Sequence, residues 1–144
     1  AAAILSLMEN QKLVAEGAGA VPVAAALFHK LPIEGKKVVC VISGGNIDVN
    51  ILSRVITRGL VMSGRKANLT IALEDKPGQL QRVAEIVSRC GSNVVSVLHD
   101  GSDPNMPISS CFLKLTLETR DAVQIEQIRA ELTKEGFQLV SERV

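Results

Sequence analysis

The sequence has very few aromatic residues: it contains three Phe, no Trp and no Tyr among its 144 residues. Side chains on which nucleic-acid bases stack are therefore scarce. An excess of either charge is also lacking, since 16 basic and 15 acidic residues give a net charge of +1. Because a phosphate backbone attracts clearly basic surfaces, the sequence predicts no nucleic-acid partner.

Long apolar runs and paired cysteines are missing as well. No run reaches the ~20 residues of a membrane-spanning helix, and the opening AAAILSLMENQ has no basic segment typical of a secretory signal. We therefore predict no membrane partner. The cysteines Cys40, Cys90 and Cys111 lie far apart, without His or carboxylate neighbours at ligand spacing. They are interpreted as reduced core cysteines of a cytoplasmic protein, and no metal site is predicted.

The sequence contains enough apolar residues, 47%, for a packed core. The polar, Gly-containing stretch MSGRKAN separates two strongly periodic regions. We predict one domain over residues 1–62, a linker at 63–67 and a second domain over 68–144. Because the chain has no initiator Met and opens on residues typical of a helix, the first domain is expected to be part of a larger one.

The second domain alternates between strand and helix signals. LTIALE and FLKLTL have the period-two alternation of strands, NVVSVLHD is rich in β-branched residues, and FQLVS supplies a fourth strand. One helix follows Pro77 and ends at Gly91; the next is capped by Thr119 or Asp121 and ends at Gly136. The resulting order is βαββαβ, the ferredoxin-like α+β arrangement, with both helices on one face of an antiparallel sheet.

The first domain has an α/β pattern. Helical patterns over residues 1–12 and about 20–30 precede the apolar run Val38–Ile42, which predicts a buried strand. The run ends in Ser-Gly-Gly-Asn, and a helical pattern then resumes. Two short strands cannot form a parallel sheet that is buried on both faces, so this α/β segment is expected to be incomplete.

The Ser-Gly-Gly-Asn break is ambiguous on spacing alone. Open α/β sheets bind ligands where a strand passes into a helix, and backbone N–H groups there can hold an anion. The break has neither the Gly-x-Gly-x-x-Gly spacing of dinucleotide sites nor the Gly-Lys-Ser/Thr of a P-loop. A structural turn and a ligand site both remain open, and Asn46 is expected to hold the turn or cap the helix.

Two motifs of the first domain, taken in their order along the chain, resemble a known enzyme family. LVAEGAGAVPVAAAL followed by VVCVISGGNID resembles the end of the catalytic domain of the threonine dehydratases (threonine ammonia-lyases), which are fold-type II pyridoxal-phosphate enzymes. In that family the Ser of the second motif hydrogen-bonds the pyridine nitrogen of the cofactor, which implies this role for Ser43. Gly44 and Gly45 would then let the backbone pass close to the ring. Glu16 either faces the cofactor pocket or is a solvated or helix-capping residue.

The same resemblance implies which parts are missing. The Schiff-base Lys of the family lies in a Ser-x-Lys-x-Arg-Gly-like motif, and its phosphate loop is Gly-rich; the 144 residues contain neither. SGRK, Ser63–Lys66, lacks the trailing Arg-Gly. No residue is therefore predicted to be catalytic, and the chain alone is expected to be inactive and not to bind the cofactor. The intact parent would convert L-threonine to 2-oxobutanoate and ammonia, in isoleucine biosynthesis or threonine catabolism.

A second resemblance covers the βαββαβ half. EDKPGQL and CGSNVVSV resemble the ACT domain, an amino-acid-sensing module whose ligand lies between the loop after the first strand and a paired domain. Backbone N–H groups at the start of the first helix can accept a carboxylate, and Asp75 can meet an α-ammonium group. Leu73 stands where some members carry His, which argues against a purely polar effector and is compatible with an aliphatic one such as isoleucine or valine. The predicted effector-site residues are Asp75, Gly78, Gln79, Leu80 and Asn93.

Three interpretations stay open. In the first, the ACT half regulates the parent enzyme through effector binding at an ACT–ACT interface of a homo-oligomer. In the second, the chain is a stand-alone amino-acid-binding or dimerisation module, in which Asp75 merely caps a helix. The third keeps the cofactor domain but assigns it serine dehydration or racemisation. Neither histidine is assigned to a site, since His29 lies at a helix end and His99 on a strand surface.

Overall fold

The computed structural model describes residues 1–104 and 106–140, which divide into two compact units. Unit 1 comprises Ala1–Leu60, and unit 2 begins at Val61. The division lies within a helix, two residues before the predicted linker at 63–67. None of the helices in the described ranges has the length and the apolar character of a membrane span.

Unit 1 is helical wherever it is regular. Its elements are α1 (Ala2–Ser6), a π-helical turn (Leu7–Gln11), α2 (Val21–Leu27) and α3 (Val49–Met62), which continues past the division. Asp48 caps α3, because its Oδ1 accepts hydrogen bonds from the backbone N–H groups of Asn50 at 2.8 Å and Ile51 at 3.2 Å. Asn46 is therefore not the cap. The small core of the unit consists of Ala3, Ile4, Leu7, Ala15 and Ala20.

The predicted strand Val38–Ile42 does not form. These residues have no regular structure, and Val39 and Val41 are 89% and 70% exposed. A strand must hydrogen-bond to a neighbouring strand, and the described part of unit 1 contains none. Ile42 is the residue of this run that packs against the small core.

Unit 2 has the predicted βαββαβ order. Its elements are β1 (Lys66–Glu74), α4 (Gln79–Arg89), β2 (Asn93–Asp100), β3 (Ser110–Glu118), α5 (Ala122–Lys134) and β4 (Gln138–Val140). The sheet is antiparallel with the order β2-β3-β1-β4, which confirms the ferredoxin-like fold. Ser141, the last residue of the predicted fourth strand, lies outside the described residues.

The strand registers fix which end of the sheet carries which side chains. β1 and β3 pair from Lys66 opposite Glu118 to Glu74 opposite Ser110. β2 pairs with β3 from Asn93 opposite Glu118 to its other end, with a β-bulge at Val95. β2 is therefore an edge strand, with one side unpaired in the described part of the sheet.

The core of unit 2 lies between the sheet and its two helices. Alternate residues of β3 are buried, which is the predicted period-two pattern; β1 buries Ala67, Leu69 and Ile71 in the same way and Thr70 in addition. Each fully buried aliphatic side chain contributes about 1.5–3 kcal/mol relative to its exposed state. Asp121 caps α5 by accepting the N–H of Gln124 at 2.8 Å. The fully buried aliphatic residues of the core include Leu69, Ile71, Val83, Val87, Leu117, Ile128 and Leu132.

Candidate functional site

A short turn joins β1 to α4. Gly78 in this turn has φ of +88°, and no atom lies within 4 Å of where a Cβ would stand, so the backbone conformation and not space requires glycine. α4 begins here without a side-chain cap, so the interpretation of Asp75 as a capping residue is wrong. The backbone N–H of Asp75 instead donates to the carbonyl of Ser109 at 2.8 Å, which fixes the turn to the loop before β3.

A cleft of about 260 Å³ opens beside this turn. The volume lies just below the range of about 300–1,000 Å³ typical of small-molecule pockets, so it suits a ligand as small as one amino acid. Leu73 and the half-exposed Leu80 give it apolar walls. The structure brings together four of the five predicted effector residues here: Asp75, Gly78, Gln79 and Leu80.

Polar side chains meet at one end of the cleft. The Oδ1 of Asp75 lies 3.4 Å from the Nε2 of His99, and both side chains are about half exposed. The Sγ of Cys111 lies within 4.8 Å of both groups, although Cys111 itself is fully buried. Burial raises the pKa of the Cys111 thiol, and the negative charge of Asp75 raises it further. Sequence reasoning missed His99 and Cys111, because strand pairing and not chain spacing brings them to Asp75.

Gln79 contributes an unusual polar atom. Its Oε1 is the one buried side-chain oxygen or nitrogen among the described residues that has no hydrogen-bond partner. Leaving a buried acceptor unpaired costs about 1–3 kcal/mol. Gln79 also lines a second cleft of about 510 Å³, where Arg82 stacks over the Phe137 ring at 5.0 Å. A hydrogen-bond donor on a bound molecule would satisfy this oxygen.

Asn93 lies away from the other predicted effector residues. It is the first residue of β2 and pairs with Glu118, whose Oε2 accepts a hydrogen bond from the Asn93 Nδ2 at 3.1 Å. Asp75 follows the end of β1 that pairs with Ser110, the opposite end of β3. A single chain therefore does not bring Asn93 to the cleft.

The carboxylate of Asp100, at the end of β2, already has hydrogen-bond partners. Asp100 accepts hydrogen bonds from the Ser102 hydroxyl at 2.6 Å and from the Lys114 Nζ at 2.9 Å. These two groups hold the pKa of the Asp100 carboxyl well below its usual range. Asp100 therefore stays ionised and paired with Lys114 beside His99.

The two motifs of unit 1 pack against each other. The N–H of Glu16 donates to the carbonyl of Gly44 at 2.9 Å. A Cβ at Gly44 would lie 2.5 Å from the Glu16 Oε1, and one at Gly45 would lie 2.9 Å from the Val14 carbonyl. The close approach of the Val14 backbone accounts for Gly45, whereas at Gly44 the neighbouring atoms belong to the flexible Glu16 side chain. Ser43 is exposed at the same place.

Comparison with known proteins gives relatives for nearly the whole chain. The L-threonine ammonia-lyase of Thermotoga maritima is 49% identical over 137 residues, which are 95% of this chain and 34% of that protein. The L-threonine ammonia-lyase of Geobacter sulfurreducens is 41% identical over the same shares. The chain thus spans about a third of the length of these relatives. No protein-family model matches the chain.

Among solved structures, the ACT domain from GTP pyrophosphokinase of Chlorobium tepidum is similar with a TM-score of 0.40 and 15% identity. The similarity covers 52% of this chain and 96% of that one. The homologues confirm the resemblance to the threonine ammonia-lyases, since they match the chain across both units.

Proposed function

We propose that this chain, a homologue of L-threonine ammonia-lyases, forms the regulatory C-terminal part of such an enzyme and that unit 2 binds an amino-acid effector. The main support is that one alignment of 137 residues covers both units, so the pair occurs together in these enzymes. The parent enzyme would convert L-threonine to 2-oxobutanoate and ammonia. The three free thiols suit a cytoplasmic setting.

Pyridoxal phosphate, which the resemblance implies for the parent, would meet this chain at one edge of its ring. The exposed Ser43 hydroxyl fits the ring nitrogen, and the contacts of Gly44 with Glu16 hold its loop in place. When bound, the cofactor supplies an electron sink at the substrate's α-carbon, and its nitrogen partner tunes that sink. No residue here is assigned to its phosphate or aldehyde, so this chain would only orient the ring.

The cleft beside the β1–α4 turn is proposed to hold the effector. The Asp75 carboxylate would pair with the α-ammonium group, and backbone N–H groups at the start of α4 would receive the α-carboxylate. Leu73 and Leu80 would contact an aliphatic side chain such as that of isoleucine or valine. Gln79, which lines the same cleft, carries a buried Oε1 without a hydrogen-bond partner.

A second copy of the chain would complete this site. If two β2 edges pair antiparallel about a twofold axis that passes between Ser96 and Val97, Asn93 of one copy lies opposite Asp100 of the other, beside His99 and hence near Asp75. The edge also exposes Val95, Val97 and Leu98, which such pairing would cover in part. A homodimer would thus unite Asn93 with the other four predicted residues, and effector binding would stabilise it.

Thermal unfolding of the 144-residue chain tests the effector site. Isoleucine or valine at 100 times its dissociation constant should stabilise unit 2 by about 2.7 kcal/mol and raise the midpoint by several degrees. Asp75→Asn should abolish the shift, whereas Glu126→Gln, on the exposed side of α5, should keep it. No shift at millimolar ligand would contradict the effector site and favour a module that only dimerises.

A graft tests the parent function separately. The chain would replace the homologous third of the Thermotoga maritima enzyme, and 2-oxobutanoate release from threonine would be measured with and without isoleucine or valine. We expect an active chimera whose response to effector disappears in Asp75→Asn while its basal rate stays. A chimera that folds but releases no 2-oxobutanoate from threonine would contradict the assignment to threonine ammonia-lyases.

A further inference from the structure

We propose that Asp75, His99 and Cys111 form a binding site for a transition-metal ion of the zinc type. This site goes beyond the proposed amino-acid effector, because the three donor atoms can hold an ion without any organic ligand. They are the one group of three His, Cys or carboxylate ligand atoms that lie within 4.8 Å of one another in the described residues.

The distance between the Asp75 and His99 ligand atoms suits tetrahedral coordination. With metal–nitrogen and metal–oxygen bonds of about 2.0–2.2 Å, two ligands of a tetrahedral zinc ion lie about 3.3–3.6 Å apart. The Asp75 Oδ1 and the His99 Nε2 are separated by 3.4 Å. That distance is longer than the ~2.7–2.9 Å of a charge-assisted hydrogen bond. The pair therefore stands at the separation of two metal ligands and not of a tight ion pair.

The sheet determines that all three side chains meet. Cys111 lies opposite Leu73 on β1, and His99 lies opposite Leu113 on β3. Leu113 is buried under the helices, so both ligands share the helix-covered face of the sheet. Asp75 follows the end of β1 and reaches the same corner from the turn. Each ligand thus comes from a different segment whose backbone is held by neighbouring strands or loops.

The donor set indicates the ion. A thiolate, an imidazole and a carboxylate together favour zinc or cobalt over magnesium or calcium, which prefer oxygen ligands. Binding replaces the proton on the Cys111 sulfur, which passes to solvent, so affinity should increase with pH. The buried sulfur side of the site is dry, whereas the half-exposed Asp75 and His99 leave a fourth position open to water.

The metal should compete with the amino-acid effector. This consequence rests on the proposed function, in which the Asp75 carboxylate pairs with an α-ammonium group. A carboxylate bound to the metal cannot also neutralise that ammonium group. We therefore expect saturating Zn²⁺ to weaken isoleucine or valine binding to the wild-type chain, while metal binding itself is measured without any amino acid.

Titration of the untagged 144-residue chain with Co²⁺ tests the site directly. One equivalent should produce a thiolate-to-cobalt charge-transfer band in the near ultraviolet and strong visible bands of tetrahedral coordination, and Zn²⁺ should remove both. Cys111→Ser should lose the charge-transfer band. Cys40→Ser, a matched change in unit 1, should keep it unchanged.

His99→Gln provides a second variant in case Cys111→Ser does not fold, because His99 is exposed and its replacement leaves the core intact. Loss of a partner of a metal ligand alone lowers affinity about 10–100-fold, so loss of this ligand should weaken Co²⁺ binding at least tenfold. A wild-type chain without the charge-transfer band, or a band that persists in folded Cys111→Ser, would overturn the proposal. Unchanged affinity in His99→Gln would do the same.

Discussion

The two units use their apolar residues in opposite ways. Among the described residues, the core of unit 2 contains thirteen buried apolar residues, whereas that of unit 1 contains five, three of which are alanines. Unit 1 at the same time exposes large apolar side chains, including Val39, Val41 and Val49. An apolar run thus becomes a strand only where a neighbouring strand and a covering layer are present, and unit 2 provides both.

The largest expected effect contrasts one apolar residue of β1 with one of the run Val38–Ile42. Ile71→Ala removes a fully buried side chain from β1 and should lower the free energy of unfolding by about 2–5 kcal/mol. Val41→Ala, at a 70% exposed position, should change it by less than about 0.5 kcal/mol. Because the chain has no Trp or Tyr, urea unfolding would be followed by circular dichroism. An equal loss in both variants would show that residues 38–42 are buried.

Two glycines with the same backbone angle separate strain from crowding. Gly35 in unit 1 and Gly64 in unit 2 both have φ of +69°. An Ala in this conformation costs about 1–2 kcal/mol. A Cβ at Gly64 would also lie 2.5 Å from the backbone nitrogen of Ala122, whereas a Cβ at Gly35 would have no atom within 4 Å. Gly64→Ala should therefore cost about 1–3 kcal/mol more than Gly35→Ala in urea unfolding, and equal losses would contradict the close packing at Gly64.

In the part of the chain that the structure describes, unit 2, unlike unit 1, contains a buried side-chain amide that hydrogen-bonds two backbone groups. The Gln124 Oε1 accepts the N–H of Arg120 at 2.7 Å, and its Nε2 donates to the carbonyl of Cys90 at 2.7 Å. Gln124→Met keeps the size but leaves both backbone groups unpaired, which should cost about 1–3 kcal/mol. The exposed Gln127→Met on the same helix should be nearly neutral. Hydrogen exchange should show faster opening at the end of α4 in the first variant, and equal protection in both would refute this role.

The smallest expected effect concerns a surface ion pair of unit 2. The side chain of Arg89 hydrogen-bonds Glu135 and lowers the pKa of that carboxyl. The contribution of this ion pair to the free energy of unfolding is therefore fully present above the unfolded Glu pKa of about 4.3. It is lost as pH falls through the lower pKa of Glu135 in the folded chain. The urea midpoint should fall from neutral to acidic pH in both proteins, and the fall should be slightly smaller in Arg89→Gln than in wild type. Lys37→Gln in unit 1 should follow wild type.

Local signals were sufficient for the fold of unit 2. Alternating residues located β1 and β3, and the positive φ at Gly91 and Gly136 explains why both helices end where predicted. β1 begins at Lys66, three residues before the predicted start, because its first residues pair with β3 although they are partly polar. Pairing continues a strand beyond its apolar pattern, and a single sequence does not show the partner.

Unit 1 was harder to predict because its structure depends on contacts that spacing does not reveal. The sequence predicts that Gly44 and Gly45 make room for a cofactor ring, and that stays a prediction; the structure adds that the Glu16 side chain and the Val14 carbonyl lie close to them. The two motifs lie together, joined by the hydrogen bond from the Glu16 N–H to the Gly44 carbonyl. What each glycine contacts became visible only in three dimensions.

The candidate site shows the same limit. Asp75, Gly78, Gln79 and Leu80 are close in sequence, so one turn predicted all four. Asn93 shares a motif with the family but lies at the other end of the sheet, and only pairing of two copies would return it to the cleft. Extending the alternation of FLKLTL back to Cys111 would have placed that thiol on the buried face.

The β-bulge at Val95 decides which chemistry β2 presents to the helix-covered face. Counted in twos from the pair of Val94 and Leu117 without an extra residue, Leu98 would stand opposite Leu113 and His99 would face the other surface. Because the inserted residue shifts the pairing by one position, His99 and not Leu98 faces the helices beside Cys111. With Asp75, His99 and Cys111 all unchanged, the insertion or deletion of one codon in β2 would therefore create or remove the proposed metal site.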